Sequence, residues 1–493
     1  MNIFIKNKDK SLFLSIFMAL NIVFLPYIFS FFIGNHDWDW VKGVSQVLSL
    51  NTGMFEARFG KFILNVALFS GHIFPILNTV VSFLFLTLGT IFLIHYFNIK
   101  KLKTKILIGL IAVLQPYILG WLYFPINTLG NFSAVLFVLI SLILSEKKSI
   151  YSSLIAILFF ILALGVYPSI MEMMLIVFSI KHIINNSPQK AFLKSFSTII
   201  ISLILFKILL IILGYYKLIN TDYYNLKTTS IIYILQNLAE YIKLFFTQFI
   251  LSIPFVPKSL KLISLFALIL AILTSTKNKK DIFLWFIALS STILSAVLTP
   301  NIEEVAYQPR VNFYGLGYLY IGAYSIILQS SHKFIKNIGF VLSIVYLILC
   351  INQNLYAQKV WNFGQQAEVN LIIRMSDRIE ERASHLPIIP ILADEISLRP
   401  RYYKEKSDKP SPYLLERSFI IRHIPSGMFN FYAPYEVFYK ISQISSLTPD
   451  LYNYLQTSSA IWPSKNSIYI DDNYAIIIST PKGLTAIKNQ LPK

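Results

Sequence analysis

Long apolar runs alternate with short polar segments over the first 351 residues of the chain. The runs fall near residues 11–33, 73–97, 106–124, 130–144, 150–166, 168–180, 195–214, 259–275, 282–299, 311–329 and 338–351. A helix of about 20 apolar residues crosses a hydrocarbon core of roughly 30 Å, so the pattern predicts about eleven spans. The fourth and sixth runs are short for a full crossing. Only helices and closed barrels satisfy every backbone group in lipid, and the alternating strands of a barrel are missing from the sequence. The prediction is an α-helical polytopic membrane protein. Two further stretches, 62–72 and part of 215–258, mix apolar and polar positions, with Tyr233, Tyr241, Phe245 and Phe246 in the second. They predict helices lying in the membrane interface.

The pattern changes near Asn352. Residues 359–386 place apolar side chains at helical spacing with charges between them. Residues 387–392 predict a buried strand, and residues 467–480 a hairpin turning on Asp471-Asp472-Asn473. Residues 482–491 predict a closing helix. The tail is long enough for a small α/β domain. The expected organisation is a transmembrane region over 1–351, with a first outer loop at 34–72, followed by an extracytoplasmic domain over 352–493.

Charge adds orientation. Only 14% of residues are charged, against about a quarter in soluble domains, yet the net charge is +19. A polyanion partner such as nucleic acid would explain that balance, but the lysines cluster near 6–10, 100–105, 147–148, 181–194, 277–280 and 333–336, in alternate gaps between the runs. This is the positive-inside pattern of cytoplasmic loops. It predicts a cytoplasmic N-terminus and, with an odd number of spans, an outer C-terminus. The segments 34–72, 124–130, 165–169, 215–258, 300–310 and the tail then face outward. The single cysteine, Cys350, excludes an intrachain disulfide. The apolar run at 11–33 is too long for a signal-peptide core, and no A-x-A site follows it.

Candidate chemistry gathers in the first outer loop. Residues 35–61 pack Asp37, Asp39, Lys42, Glu56, Arg58 and Lys61 among Trp38, Trp40, Phe55 and Phe59. A hydroxyl attacking a sugar carbon needs a base, and Asp37 or Asp39 is placed for that role; solvated loop charges or helix caps are the plainer reading. The two tryptophans suit an interfacial belt or a sugar-stacking surface. His36 beside these acids lacks a third ligand at informative spacing, so no metal or other cofactor is called for. Arg58 and Lys61 would hold a phosphate leaving group, or else snorkel to lipid headgroups. Arg310 closes the last outer loop, where Glu303 and Glu304 would orient it or bind an acceptor. Glu172 and Lys207 fall inside predicted spans, where ionisable residues are costly, and they predict an ion pair or a cavity lining. Tyr167-Pro168 would shape the outward end of that region. No phosphate-cradling glycine loop, Ser-centred elbow or H-E-x-x-H pattern occurs. A nucleotide donor is unsupported, and the membrane itself would deliver the activated substrate.

With those residues in place, the chain resembles the bacterial type II glucosyltransferases that modify O-antigen, members of the GT-C class. The stretches that carry the resemblance are Asp39-Trp40-Val41-Lys42, Gly60-Lys61-Phe62, Gln115-Pro116-Tyr117, Gly165-Val166-Tyr167, and Arg310 followed by Gly315 and Gly317. Trp38 stands where the family often has its first Asp, and Lys42 and Lys61 where Arg is usual; lysine keeps the charge without the bidentate fork. The resemblance implies a polyprenyl-phosphate-linked hexose as donor, and as acceptor a hydroxyl of O-antigen, lipopolysaccharide or another surface glycan. It implies inversion at the anomeric carbon, with Asp39 as base and Asp37 beside it. Arg58, Lys61, Lys42 and Arg310 would hold the phosphate, and the tail after Asn352 would shape acceptor access. The setting would be a bacterial inner membrane. Two other readings stand beside it. An O-antigen polymerase or ligase would place its large outer loop internally, and a lipid-linked glycan flippase would spread charge through a central cavity.

Overall fold

The computed structural model describes residues 7–30, 58–69, 74–185, 189–219, 231–253, 255–297, 309–381, 389–393, 449–459, 464–470, 474–478, 485 and 488–489. They form an α-helical polytopic membrane protein. Among them, seven helices are long and apolar enough to cross a membrane: Pro75–Tyr96, Leu102–Leu122, Asn127–Ser145, Lys190–Tyr215, Lys258–Ser275, Arg310–Gln329 and Lys333–Gln366. Lys10–Val23, Phe59–Phe69 and Ile150–Val166 are shorter apolar helices. The described residues fall into two compact units that divide after Gln358.

Prolines set where several helices begin. Pro75 and Pro125 occupy the first turns of the helices Pro75–Tyr96 and Pro125–Ser145, where the missing N–H costs nothing. The predicted outer loop at 124–130 is therefore a turn only, because helix starts at Pro125. These two helices pack closely, and a Cβ added at Gly89 would lie 2.9 Å from Val135 Cγ1. Small residues at such points let membrane helices approach. Asn98 stops the first of them in the left-handed region, at φ 54°, as residues just past a helix end commonly do.

Other prolines break helices, and buried amides repair the breaks. Pro26 interrupts the first apolar run, giving the helices Asn7–Val23 and Leu25–Phe29. The side chain of Gln358 bridges the interruption. Its Oε1 accepts from Tyr27 N at 3.0 Å, and its Nε2 donates to Val23 O at 3.0 Å and to Asn354 O at 3.1 Å. One amide thus stands in for a lost backbone bond. Pro116 ends the helix Leu102–Leu114, and Asn354 Nδ2 donates to the freed Leu114 O at 2.8 Å.

Three predicted spans differ in form. The run at 282–299 breaks at Thr292-Ile293 into the helices Lys279–Ser291 and Leu294–Val297. The run at 311–329 begins as a short helix, Pro309–Asn312, and passes through a π-helical turn, Phe313–Gly317, before the helix Tyr318–Gln329. The last run and the predicted tail helix are one continuous helix, Lys333–Glu380. The expected interfacial segment contains the helix Leu238–Thr247, which buries Tyr241 and Leu244 and exposes Ile242 and Phe246.

The second unit holds a three-stranded sheet in the order β1-β3-β2. Here β1 is Ile389–Ala393, β2 Ile468–Ile470 and β3 Tyr474–Ile478. The predicted hairpin is present as the antiparallel pair β2–β3, with Ile468 opposite Ile477 and Ile470 opposite Ala475. The predicted buried strand adds to β3 in parallel. Most of the expected closing helix, and the turn 471–473, lie outside the described residues.

Candidate functional site

The site is built around the start of the helix Phe59–Phe69. Gly60 lies hard against the end of the helix Ile150–Val166; an added Cβ would sit 2.4 Å from Leu162 O and 2.9 Å from Val166 N. Gly165 answers it, since a Cβ there would meet the Phe59 ring at 2.4 Å. Gly130 completes the contact, facing Val166 Cγ1 at 3.1 Å and Lys61 Cγ at 3.4 Å. Three glycines thus fix the backbone from which Arg58 and Lys61 project, next to Tyr167.

Two cations rest on aromatic rings there. Arg58 Cζ lies 5.2 Å from the centroid of Tyr167, and Arg310 Cζ lies 5.5 Å from that of Phe124. A guanidinium over a ring face gains about 0.5–2 kcal/mol, and the ring constrains where its planar donors point. Trp121 sits between the flanking rings, with its centroid 4.9 Å from Tyr167 and 5.7 Å from Tyr314. Its buried indole Nε1 has no hydrogen-bond partner, leaving a donor in the middle of the cluster. Lys61 Nζ donates to Asn127 Oδ1. Asn131 Nδ2 donates to Asn127 O at 2.6 Å, and the Tyr314 hydroxyl lies 3.1 Å from Asn131 O and 3.2 Å from its Oδ1. Lys61, Asn127, Asn131 and Tyr314 form one polar chain beside the aromatic one. Arg58 and Arg310, about 250 residues apart in the chain, thus lie over Tyr167 and Phe124, on segments that pack about the Trp121 helix, and such donors suit an oxyanion or phosphate.

A second polar site uses the same chain segments. Glu172, five residues after Tyr167, is 1% exposed. Its Oε1 accepts from Ser295 N at 2.8 Å, capping the short helix Leu294–Val297, while its Oε2 has no partner. Glu172 helps line a cavity of about 10 Å³ together with Gln248, Thr292, Ile293, Val311 and Asn312. Gln248 Nε2 donates to Thr292 Oγ1 at 2.7 Å, and the buried Lys261 Nζ donates to Gln248 O at 2.6 Å. In the second unit, an open cleft of about 640 Å³ is lined by Tyr454, Thr457, Ser458, Asn466 and Tyr469. None of the described residues that line it is charged.

Of the residues singled out in the sequence, Arg58 lies over Tyr167, Lys61 projects from the same helix start, and Arg310 lies over Phe124. The structure also joins two of the resembling stretches, since Gly60-Lys61 packs on Gly165-Val166. It corrects one expectation: Glu172 and Lys207 are not an ion pair. Glu172 is buried and bonded to Ser295 N, whereas Lys207 is exposed on the helix Gln189–Tyr215. His36, Asp37, Trp38, Asp39, Trp40, Lys42, Glu56, Glu303 and Glu304 lie outside the described residues. Trp121, Asn131, Asn312 and Tyr314 were not singled out because each sits within an apolar run, and Asn127 because its short loop carries no charge. The proline break at 115–116 was the one hint that Trp121 belongs to an irregular segment.

A family model described as Glucosyl transferase GtrII matches residues 44–321, more than half of the 493 residues. The matched segment contains Arg58, Lys61, Trp121, Tyr167, Glu172, Arg310 and Tyr314. A search of the curated proteins finds no match.

Proposed function

The chain belongs to the glucosyl transferase GtrII family and is a membrane glycosyltransferase, and on that basis we propose that it moves glucose from a polyprenyl-phosphate carrier to a hydroxyl of a surface glycan, O-antigen or lipopolysaccharide, on the outer face of a bacterial inner membrane. The observation that carries this reading is the placing of Arg58 over Tyr167, Lys61 against Asn127 and Arg310 over Phe124, with Trp121 packed between Tyr167 and Tyr314. Cations set among rings at the head of membrane helices suit a phosphate tethered to a lipid and a sugar attached to that phosphate.

The reaction is a displacement with inversion. The acceptor hydroxyl oxygen forms a bond to the anomeric carbon as the bond from that carbon to the phosphate oxygen breaks. The leaving phosphate keeps the electron pair, and Arg58, Lys61 and Arg310 stabilise its growing charge, a role that the family resemblance extends to Lys42. Asp39, with Asp37 as its neighbour, takes the acceptor proton. Trp38 and Trp40 offer stacking surfaces for sugar, and Glu56, Glu303 and Glu304 orient the cations or the acceptor. The N-terminus is cytoplasmic and the region after Asn352 faces outward.

Membranes containing the protein, supplied with polyprenyl-phosphate glucose and the host glycan, should form a new glucosidic bond. Asp39→Asn or Asp37→Asn should reduce the rate by about 100-fold or more. Unchanged transfer in both variants would remove the base assignment. Movement of lipid-linked sugar between leaflets with no bond formed would replace the transferase reading with a transporter. A periplasmic reporter fused after Lys493 should be active, and an inactive one reverses the orientation.

A further inference from the structure

We infer that Glu172, with Asn312 and Thr292 around it, forms a subsite that binds one hydroxyl group of the transferred sugar; the inference rests on the transferase reading above. Buried polar groups in folded proteins are almost always hydrogen-bonded, and an exception calls for a specific explanation. Glu172 Oε2 is such an exception: the residue is 1% exposed, and that oxygen has no partner. Stability alone does not account for it. Capping Ser295 N uses only Oε1, and a glutamine carbonyl would do the same.

The backbone packed beside Oε2 carries no side chain. Gly315 faces that oxygen, and a Cβ at that position would lie 2.6 Å from Oε2. Gly315 belongs to the π-helical turn Phe313–Gly317, an irregularity that often marks functional sites. The cavity beside Glu172, about 10 Å³, matches one water-sized group, so it takes a single hydroxyl rather than a ring. The partnerless Oε2 can hydrogen-bond one sugar hydroxyl, and the Asn312 side chain lines the same cavity. A metal ion is not favoured, because Glu172 is the one carboxylate among the described residues lining the cavity.

Position ties this cavity to the phosphate site. Arg310 lies over Phe124, and Asn312, two residues later, lines the cavity. Arg58 lies over Tyr167, and Glu172 follows five residues later. Tyr314, whose ring lies 6.4 Å from that of Tyr167, is followed directly by Gly315, which faces Glu172 Oε2. A sugar whose phosphate sits at the cations would reach the cavity with a ring substituent.

Full-length protein in detergent, assayed with polyprenyl-phosphate glucose and its 2-, 3-, 4- and 6-deoxy analogues, separates the possibilities. Wild type should use one of the deoxy donors at least about 10-fold less efficiently in kcat/KM. Glu172→Gln, which keeps the cap on Ser295, should lose about 10-fold with glucose yet treat glucose and that deoxy donor within about twofold. Gly315→Ala, which crowds Oε2, should show the same donor-specific convergence. A uniform loss with every donor in both variants overturns the inference and leaves Glu172 as a structural cap, while the transferase reading stands. No transfer by wild type from the parent donor overturns both.

Discussion

Gln358 and Glu172 are equally buried, each 1% exposed, and both sit where an apolar helix is interrupted. Gln358 uses its side chain fully, accepting from Tyr27 N and donating to Val23 O and Asn354 O. Glu172 satisfies Ser295 N and leaves one oxygen without a partner. The first residue completes a backbone ladder broken by proline. The second keeps a capacity in reserve while carrying a side chain that burial penalises. Equal burial therefore says little about role in this molecule. What separates structure from chemistry is whether the polar inventory closes.

That contrast can be broken by mutation. The largest effect on turnover is expected at the fully chemical end. Arg310→Ala should lower kcat for glucosyl transfer by about 100-fold or more with an unchanged thermal melting curve, and a parallel loss of melting temperature would make Arg310 a packing residue instead. At the structural end, Gln358→Leu leaves Tyr27 N and Val23 O unsatisfied and should destabilise the protein by about 2–4 kcal/mol. Donor KM in the protein that remains folded should not move; a KM shift without destabilisation would erase the distinction from Glu172. The smallest effect is expected at Lys207, whose exposure separates it from both classes. Lys207→Gln should keep transfer within about twofold and stability within about 0.5 kcal/mol of wild type, and a large loss in either assay would restore a role for this lysine.

The long helices were legible because length and apolarity are local properties: Pro75–Tyr96 and Lys258–Ser275 fall close to the runs that predicted them. Part of the site was legible for a related reason. Gly60-Lys61 and Gly165-Val166-Tyr167 are short glycine-containing steps in apolar surroundings, and the close approach that demands glycine is what joins them. The Glu172–Lys207 pairing failed because sequence gives a residue's depth along a helix and not the direction it faces, which packing decides. The break at Thr292-Ile293 was hidden, since an apolar run looks the same whether its backbone is continuous or capped by a distant carboxylate. The composition changes near Asn352, yet the backbone carries helix straight through it. Trp121 and Tyr314 look like core aromatics in the sequence, and only their meeting with Tyr167 distinguishes them.

The π-helical turn Phe313–Gly317 sits between the residues that face the two polar sites and the straight helix Tyr318–Gln329. A π turn amounts to one residue inserted into an α-helix. Its presence offsets everything on its N-terminal side by about 100° around the axis relative to an uninterrupted helix. Arg310 and Asn312 owe their bearings to that extra residue. Removing a single residue from the turn would restore an ordinary α-helix, keep the membrane-buried half in register and swing both side chains to a different face. The geometry of this part of the site is thus set by a count, and an insertion or deletion of one residue there is a larger change than most substitutions.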